Sequence, residues 1–196
     1  MTERARTRVL AAAVAFVVAG AVVAGGFALA AAVSDDHEPD GSFVLDEPGI
    51  FQQPFDDVND DSAGEAVPDL PLRASDDGDH RMSEFRGRPI VVNLWFSSCV
   101  PCRRELRDFA TVDAEYGGTV QFVGVNPFDT VEVMEAFAAE RGVEYPLWRD
   151  TDRAFSDELG IVGYPVTLFV AADGEILRQT GEIDADELRA TIEELF

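Results

Sequence analysis

The nearly unbroken apolar run Ile90-Val91-Val92-Asn93-Leu94-Trp95-Phe96 ends just before Cys99-Val100-Pro101-Cys102, which holds the only two cysteines of the chain. A run of this length with so few polar positions is buried on both faces, so it belongs inside a sheet. Beyond it, Leu106, Phe109 and Val112 recur at helical spacing until Gly117-Gly118 stops them. A strand that passes into a helix through Cys99 and Cys102 places a dithiol at the junction. That unit constrains the fold and the chemistry together.

A helix starting near Cys99 aims its free N–H groups at the first sulfur. They favour the thiolate over the thiol and lower its pKa from the usual ~8.5. Cys102, three residues on, can attack a mixed disulfide formed at Cys99. Pro101 sits where a helix has no acceptor for its missing N–H. The pattern predicts an attacking Cys99, a resolving Cys102 and a stiff turn between them. A zinc site is a weaker reading, because only His37 and His80 could add to the cysteines and neither has a ligand-like spacing. An inert disulfide closing so short a loop would constrain little of the unfolded chain. No metal and no cofactor is expected.

The rest of the chain from residue 67 reads as one domain of strands and helices. Short strands are expected over residues 68–73 and 79–82, around the polar turn Ser75-Asp76-Asp77-Gly78. A second buried strand covers 119–126, and Asp129 with Glu132 forms a capping box for the following helix. A short strand at 145–149 and a brief helix at 151–159 follow. Strands at 166–171 and 175–181 flank Ala172-Asp173-Gly174 as a hairpin, and Asp184 with Glu187 caps the last helix. This order gives an α/β fold with a mixed sheet covered by helices on both sides.

The amino-terminal third is different. Arg4, Arg6 and Arg8 precede residues 9–33, a stretch of 25 residues without a charge. About 20 apolar residues suffice to cross a bilayer, and the Arg-rich end stays cytoplasmic. Residues 1–8 are therefore expected as a cytoplasmic tail and 9–33 as a transmembrane anchor, with the rest outside the cell membrane. Ala28-Leu29-Ala30 offers the alternative of a cleaved signal peptide and a secreted product. Residues 34–66 carry acids without any Lys or Arg and read as an extended linker. The chain has no lysine, and its net charge of −23 argues against nucleic acid or anionic lipid headgroups as partners.

Several of these elements together resemble the membrane-anchored TlpA/ResA branch of the thioredoxin superfamily, over residues 67–196. The matching stretches are Val67-Pro68-Asp69-Leu70, Phe85-Arg86-Gly87-Arg88-Pro89, the apolar run, Ser97 through Glu105, and Val162-Gly163-Tyr164-Pro165-Val166-Thr167. The resemblance implies a thioredoxin-like mixed central sheet with helices on both faces. It implies a cis Pro165 facing Cys99, whose preceding carbonyl pairs with an extended substrate. Tyr164 then either influences which peptide fits or covers the disulfide. Asn93 stands where ordinary thioredoxin has a buried acid. Glu105 matches the acid of ResA-like proteins and is either a proton relay for Cys102 or a solvated first-turn acid. Trp95 is expected to support the site by core packing, and Ser98 replaces a tryptophan common in the family.

By this resemblance the chain is a thiol–disulfide oxidoreductase that exchanges electrons with exported protein thiols or disulfides. Apocytochrome c before haem attachment is the most concrete substrate, with a redox-recycling membrane protein as second partner. An extracytoplasmic disulfide-forming oxidase is the alternative. A peroxiredoxin would need Thr three residues before Cys99, where Phe96 stands, and a copper-delivery module lacks a suitably placed histidine.

Overall fold

The computed structural model describes residues 58–75 and 78–196, so the expected anchor and most of the expected linker lie outside the described residues. No helix among the described residues is long and apolar enough to cross a membrane. The apolar run forms β3 (Ile90–Leu94), and all five of its residues are buried. It lies between β4 (Gln121–Asn126), which runs parallel to it, and β6 (Val166–Val170), which runs antiparallel. Outward from β6 comes β7 (Ile176–Thr180), and outward from β4 comes β5 (Leu147–Arg149). Two-residue strands β1 (Leu72–Arg73) and β2 (Asp79–His80) complete the order β2-β1-β5-β4-β3-β6-β7.

Side chains alternate across this sheet as the pleat requires. On one face Val91, Phe122 and Phe169 pack under Phe109 and Val112 of α1 (Val100–Tyr116) and under Leu188 and Ile192 of α4 (Ala185–Leu195). On the other, Val92, Leu94, Val123 and Val125 meet Met134 and Phe137 of α2 (Val131–Ala139) and Phe155 of α3 (Ala154–Glu158). Fully burying each such side chain stabilises the fold by about 1.5–3 kcal/mol. The result is the thioredoxin-like mixed sheet with helices on both faces.

Local differences from the sequence reading have local causes. Met82 leaves the expected second strand and opens a 3-10 turn, Met82–Phe85, in which Glu84 accepts from the Arg81 N–H at 2.9 Å. The helix expected over 151–159 shortens to Ala154–Glu158, because the buried Asp150 carboxylate accepts the N–H groups of Phe155 and Ser156 at 3.1 and 2.8 Å. Gly174, at φ 96°, makes the β6–β7 turn that the Asp-Gly pair predicts.

Residues 58–66, assigned to the acidic linker by their composition, lie along β7. Ser62 is buried and its hydroxyl donates to Gln179 Oε1 at 2.9 Å. Gln179 Nε2 donates to the Asp60 carbonyl at 2.8 Å, and Gly64 N–H donates to the Ile176 carbonyl at 2.8 Å. Backbone pairing to a sheet edge, invisible to composition, orders this strap.

Candidate functional site

Cys99 is the N-cap of α1 and is joined to Cys102 by a disulfide. Its backbone is still extended, at φ −72° and ψ 113°, while Val100 and Pro101 begin the helix. The Cys102 N–H points at Cys99 Sγ from 3.2 Å. On reduction this N–H, with the positive end of the helix behind it, favours a thiolate on Cys99. Cys102 is fully buried, whereas Cys99 keeps 6% of its surface exposed. Of the two cysteines, only Cys99 reaches the surface.

The turn ahead of Cys99 is held from the loop after β4. Ser97 donates its N–H and its hydroxyl to the Asp129 carboxylate, each at 2.7 Å, and Asn126 Nδ2 donates to the same group at 2.8 Å. Asp129 is therefore not the helix cap expected of it. Thr130 caps α2 instead, accepting from the Val133 N–H at 3.4 Å. Sequence reasoning missed this role. The available signal was position, since Asp129 follows the carboxyl end of a central parallel strand, where open α/β sheets place their sites.

The loop across from the cysteines contains Tyr164-Pro165, whose peptide bond is cis. The Tyr164 carbonyl lies 3.7 Å from Cys99 Sγ. The Tyr164 ring turns inward, with edge contacts to Phe96 and Phe128 at 5.5 and 5.6 Å between centroids. Its hydroxyl donates to Ser156 Oγ at 3.1 Å and accepts from Arg153 at 3.4 Å. The main chain of Tyr164, not its ring, thus borders the sulfur. Val100, Phe128 and Val162 expose apolar side chains on three segments around this point.

Behind the disulfide, Glu105 is buried, which removes the reading of a solvated first-turn acid. Asn93 Nδ2 donates to its Oε1 at 2.9 Å and the Ile183 N–H to its Oε2 at 3.2 Å. Burial pushes the Glu105 carboxyl up to about 8, against the lowering effect of those two hydrogen bonds. Asn93 on β3 and Glu105 on α1 therefore form a buried amide–carboxyl pair, with Thr167 Oγ1 at 3.4 Å from Asn93 Nδ2. Trp95 is fully buried, stacks on Phe137 at 5.7 Å and does no visible chemistry. Gly124 makes room for it, since a Cβ there would lie 2.8 Å from Trp95 Nε1.

The arrangement is an oxidised dithiol whose first cysteine alone reaches the surface, with a buried titratable group one helical turn behind and a main-chain carbonyl alongside. It can pass two electrons to or from a partner's cysteines. Residues 63–186 match the AhpC/TSA family. Over 138 residues the chain is 23% identical to "Thiol-disulfide oxidoreductase ResA" of Geobacillus thermodenitrificans, covering 68% of this chain and 78% of that one. It is 27% identical to "Sporulation thiol-disulfide oxidoreductase A" of Bacillus subtilis, covering 66% and 81%. Among solved structures, that of MTB dsbF in mixed oxidised and reduced forms superposes with a TM-score of 0.61 at 27% identity, covering 66% of this chain and 99% of that one.

Proposed function

Since this chain belongs to the AhpC/TSA family and is a thiol–disulfide oxidoreductase related to ResA-type proteins, we propose that it reduces exported proteins, with apocytochrome c before haem attachment as its substrate. The observation that carries the exchange chemistry is the Cys99–Cys102 disulfide, with Cys99 Sγ 3.7 Å from the Tyr164 carbonyl. The choice of substrate is supported by the likeness to the ResA branch, in which the Asn93–Glu105 pair stands in place of a strand acid.

In the forward cycle the Cys99 thiolate attacks one sulfur of the partner's disulfide. A Cys99–partner disulfide forms, and the partner's other sulfur leaves as a thiolate that takes up a proton. Cys102 then attacks Cys99 Sγ, re-forming the intrachain disulfide and releasing the partner as a dithiol, two electrons richer. Glu105 lies one turn after Cys102, on the same face of α1, and in its ionised form takes the Cys102 proton at that step. A carboxyl held near 8 is well matched to a thiol of ordinary acidity near ~8.5. Tyr164 and Pro165 present the main chain against which an extended client aligns, and Pro101 stiffens the turn. Residues 9–33 anchor the domain, and a membrane-held redox protein restores the dithiol.

The deciding measurement is the midpoint potential of the pair, together with turnover on an oxidised Cys-x-x-Cys-His peptide. A reductase sits nearer the thioredoxin value of about −270 mV and reduces the peptide catalytically. A value near that of a strong oxidant, about −120 mV, overturns the reductase direction and favours the disulfide-forming alternative. Peroxide consumption that survives loss of Cys102 would instead favour a peroxidatic Cys99, despite Phe96 in place of the threonine that chemistry needs.

A further inference from the structure

We propose that Asn59 is a positioning residue of the dithiol site, clamping the loop that carries Tyr164 and Pro165 so that the Tyr164 carbonyl stays beside Cys99. The inference rests on the exchange reading above. Asn59 Oδ1 accepts from the N–H groups of Val162 and Gly163 at 2.8 and 2.7 Å. Its Nδ2 donates to the Gly163 carbonyl at 3.0 Å. All three partners are main-chain groups, so the side chain fixes the path of the loop whatever side chains the loop carries.

The loop needs such a fixture. Residues 160–165 belong to no strand or helix, and Val162 is 67% exposed. The first part is held to α3: Ile161 N–H donates to the Ser156 carbonyl at 2.9 Å, and Arg153 donates to the Ile161 carbonyl at 3.2 Å. Between Ile161 and Tyr164, the hydrogen bonds among the described residues come from Asn59. Gly160, at φ 62°, lets the strap come close, since a Cβ there would collide with the Asp60 side chain.

The clamp has a firm base. Its neighbours Asp60 and Ser62 are tied to Gln179 of β7, and Gly64 and Glu65 pair with Ile176. Asn59 thus links the edge of the sheet to the loop opposite the cysteines, across 104 residues of sequence. It lies ahead of residues 63–186, where the family match falls, so the comparison assigns it nothing. Asn59 contacts neither sulfur. Its influence passes through the loop, and an extended client that pairs with the Tyr164 main chain feels any loss of alignment.

The test compares full-length wild type with Asn59→Ala and Asn59→Asp. Substrates are insulin, as a protein disulfide, and 5,5′-dithiobis(2-nitrobenzoate), as a small one. Asn59→Ala is expected to lower kcat/KM on insulin about tenfold while leaving the small disulfide and the midpoint potential of Cys99–Cys102 unchanged. Asn59→Asp keeps the two acceptor contacts but loses the donor, so it recovers part of the insulin rate. Wild-type kcat/KM on insulin in Asn59→Ala, or an equal loss on both disulfides, overturns the positioning role. If Asn59→Ala does not fold at the assay temperature, Asn59→Asp decides: an insulin rate between zero and wild type supports the clamp, and a rate equal to wild type overturns it. Wild-type protein inert toward both disulfides would overturn the exchange reading itself, and the clamp with it.

Discussion

At the scale of single residues, Cys99 and Cys102 are distinguished by burial and by the Cys102 N–H directed at Cys99 Sγ. Substituting Ser for Cys102 removes the resolving sulfur while sparing the attacker. Cys102→Ser should therefore accumulate a covalent complex with an oxidised client, visible on a non-reducing gel and released by dithiothreitol. Cys99→Ser should form none. A Cys102→Ser protein that folds but captures nothing would refute the assigned order of attack.

Glu105 carries a second residue-scale prediction. Its folded pKa of about 8 lies above the ordinary value of 4.5, so the folded protein retains a proton that the unfolded chain has released. The buried neutral carboxyl is tolerated at low pH, and stability falls as pH rises from about 4.5 through about 8, by at most about 1.4 kcal/mol per pH unit. Glu105→Gln should lose that slope. Urea melts of the oxidised proteins at pH 5 and pH 8 check it: the wild type should weaken relative to Glu105→Gln at the higher pH. The pH profile of exchange should also change in the variant. An unchanged profile would confine Glu105 to structure.

At the scale of elements, the turn from β3 into α1 is shaped by a residue from the loop after β4. Asp129 accepts both donors of Ser97, so Asp129→Ala leaves a partly buried N–H and hydroxyl without an acceptor. It should cost about 1–3 kcal/mol in urea denaturation. Thr130→Ala removes one long cap bond and should cost about 1 kcal/mol or less. The opposite ranking would refute the anchoring of Ser97 by Asp129. Elements set by local chemistry were readable in advance: the apolar β3, the stop of α1 at Gly117, the Asp-Gly turn before β7, and the Asp184 cap of α4, which accepts from Asp186 and Glu187 N–H at 2.9 Å. Elements set by distant partners were not. Nothing near Asp129 shows that Ser97, 32 residues earlier, claims its carboxylate, and a helix-face pattern cannot say that Glu105 is sealed beneath Ile183.

At the scale of the whole molecule, charge is the dominant feature. Ion pairs such as Arg178–Glu194, Arg104–Glu182 and Arg189–Glu115 join separate elements, yet with a net charge of −23 most acids have no cation to meet. Self-repulsion of that kind weakens as ions screen it. Raising NaCl from 0.05 M to 1 M should therefore raise the Tm, read by circular dichroism on the oxidised protein. A falling Tm would mean that the surface pairs outweigh the repulsion. Composition exposed this imbalance but misjudged residues 58–66, because an acidic segment can still pair part of its backbone with the sheet edge at Glu175 and Ile176.

Because Cys102 is sealed and Cys99 offers only a narrow opening, the protein has a single berth. It cannot hold two clients at once, and a client whose cysteine is locked inside a finished fold cannot reach the sulfur. The chain should favour proteins still slack enough to be threaded past Pro165, which makes timing relative to a client's own folding part of its selectivity.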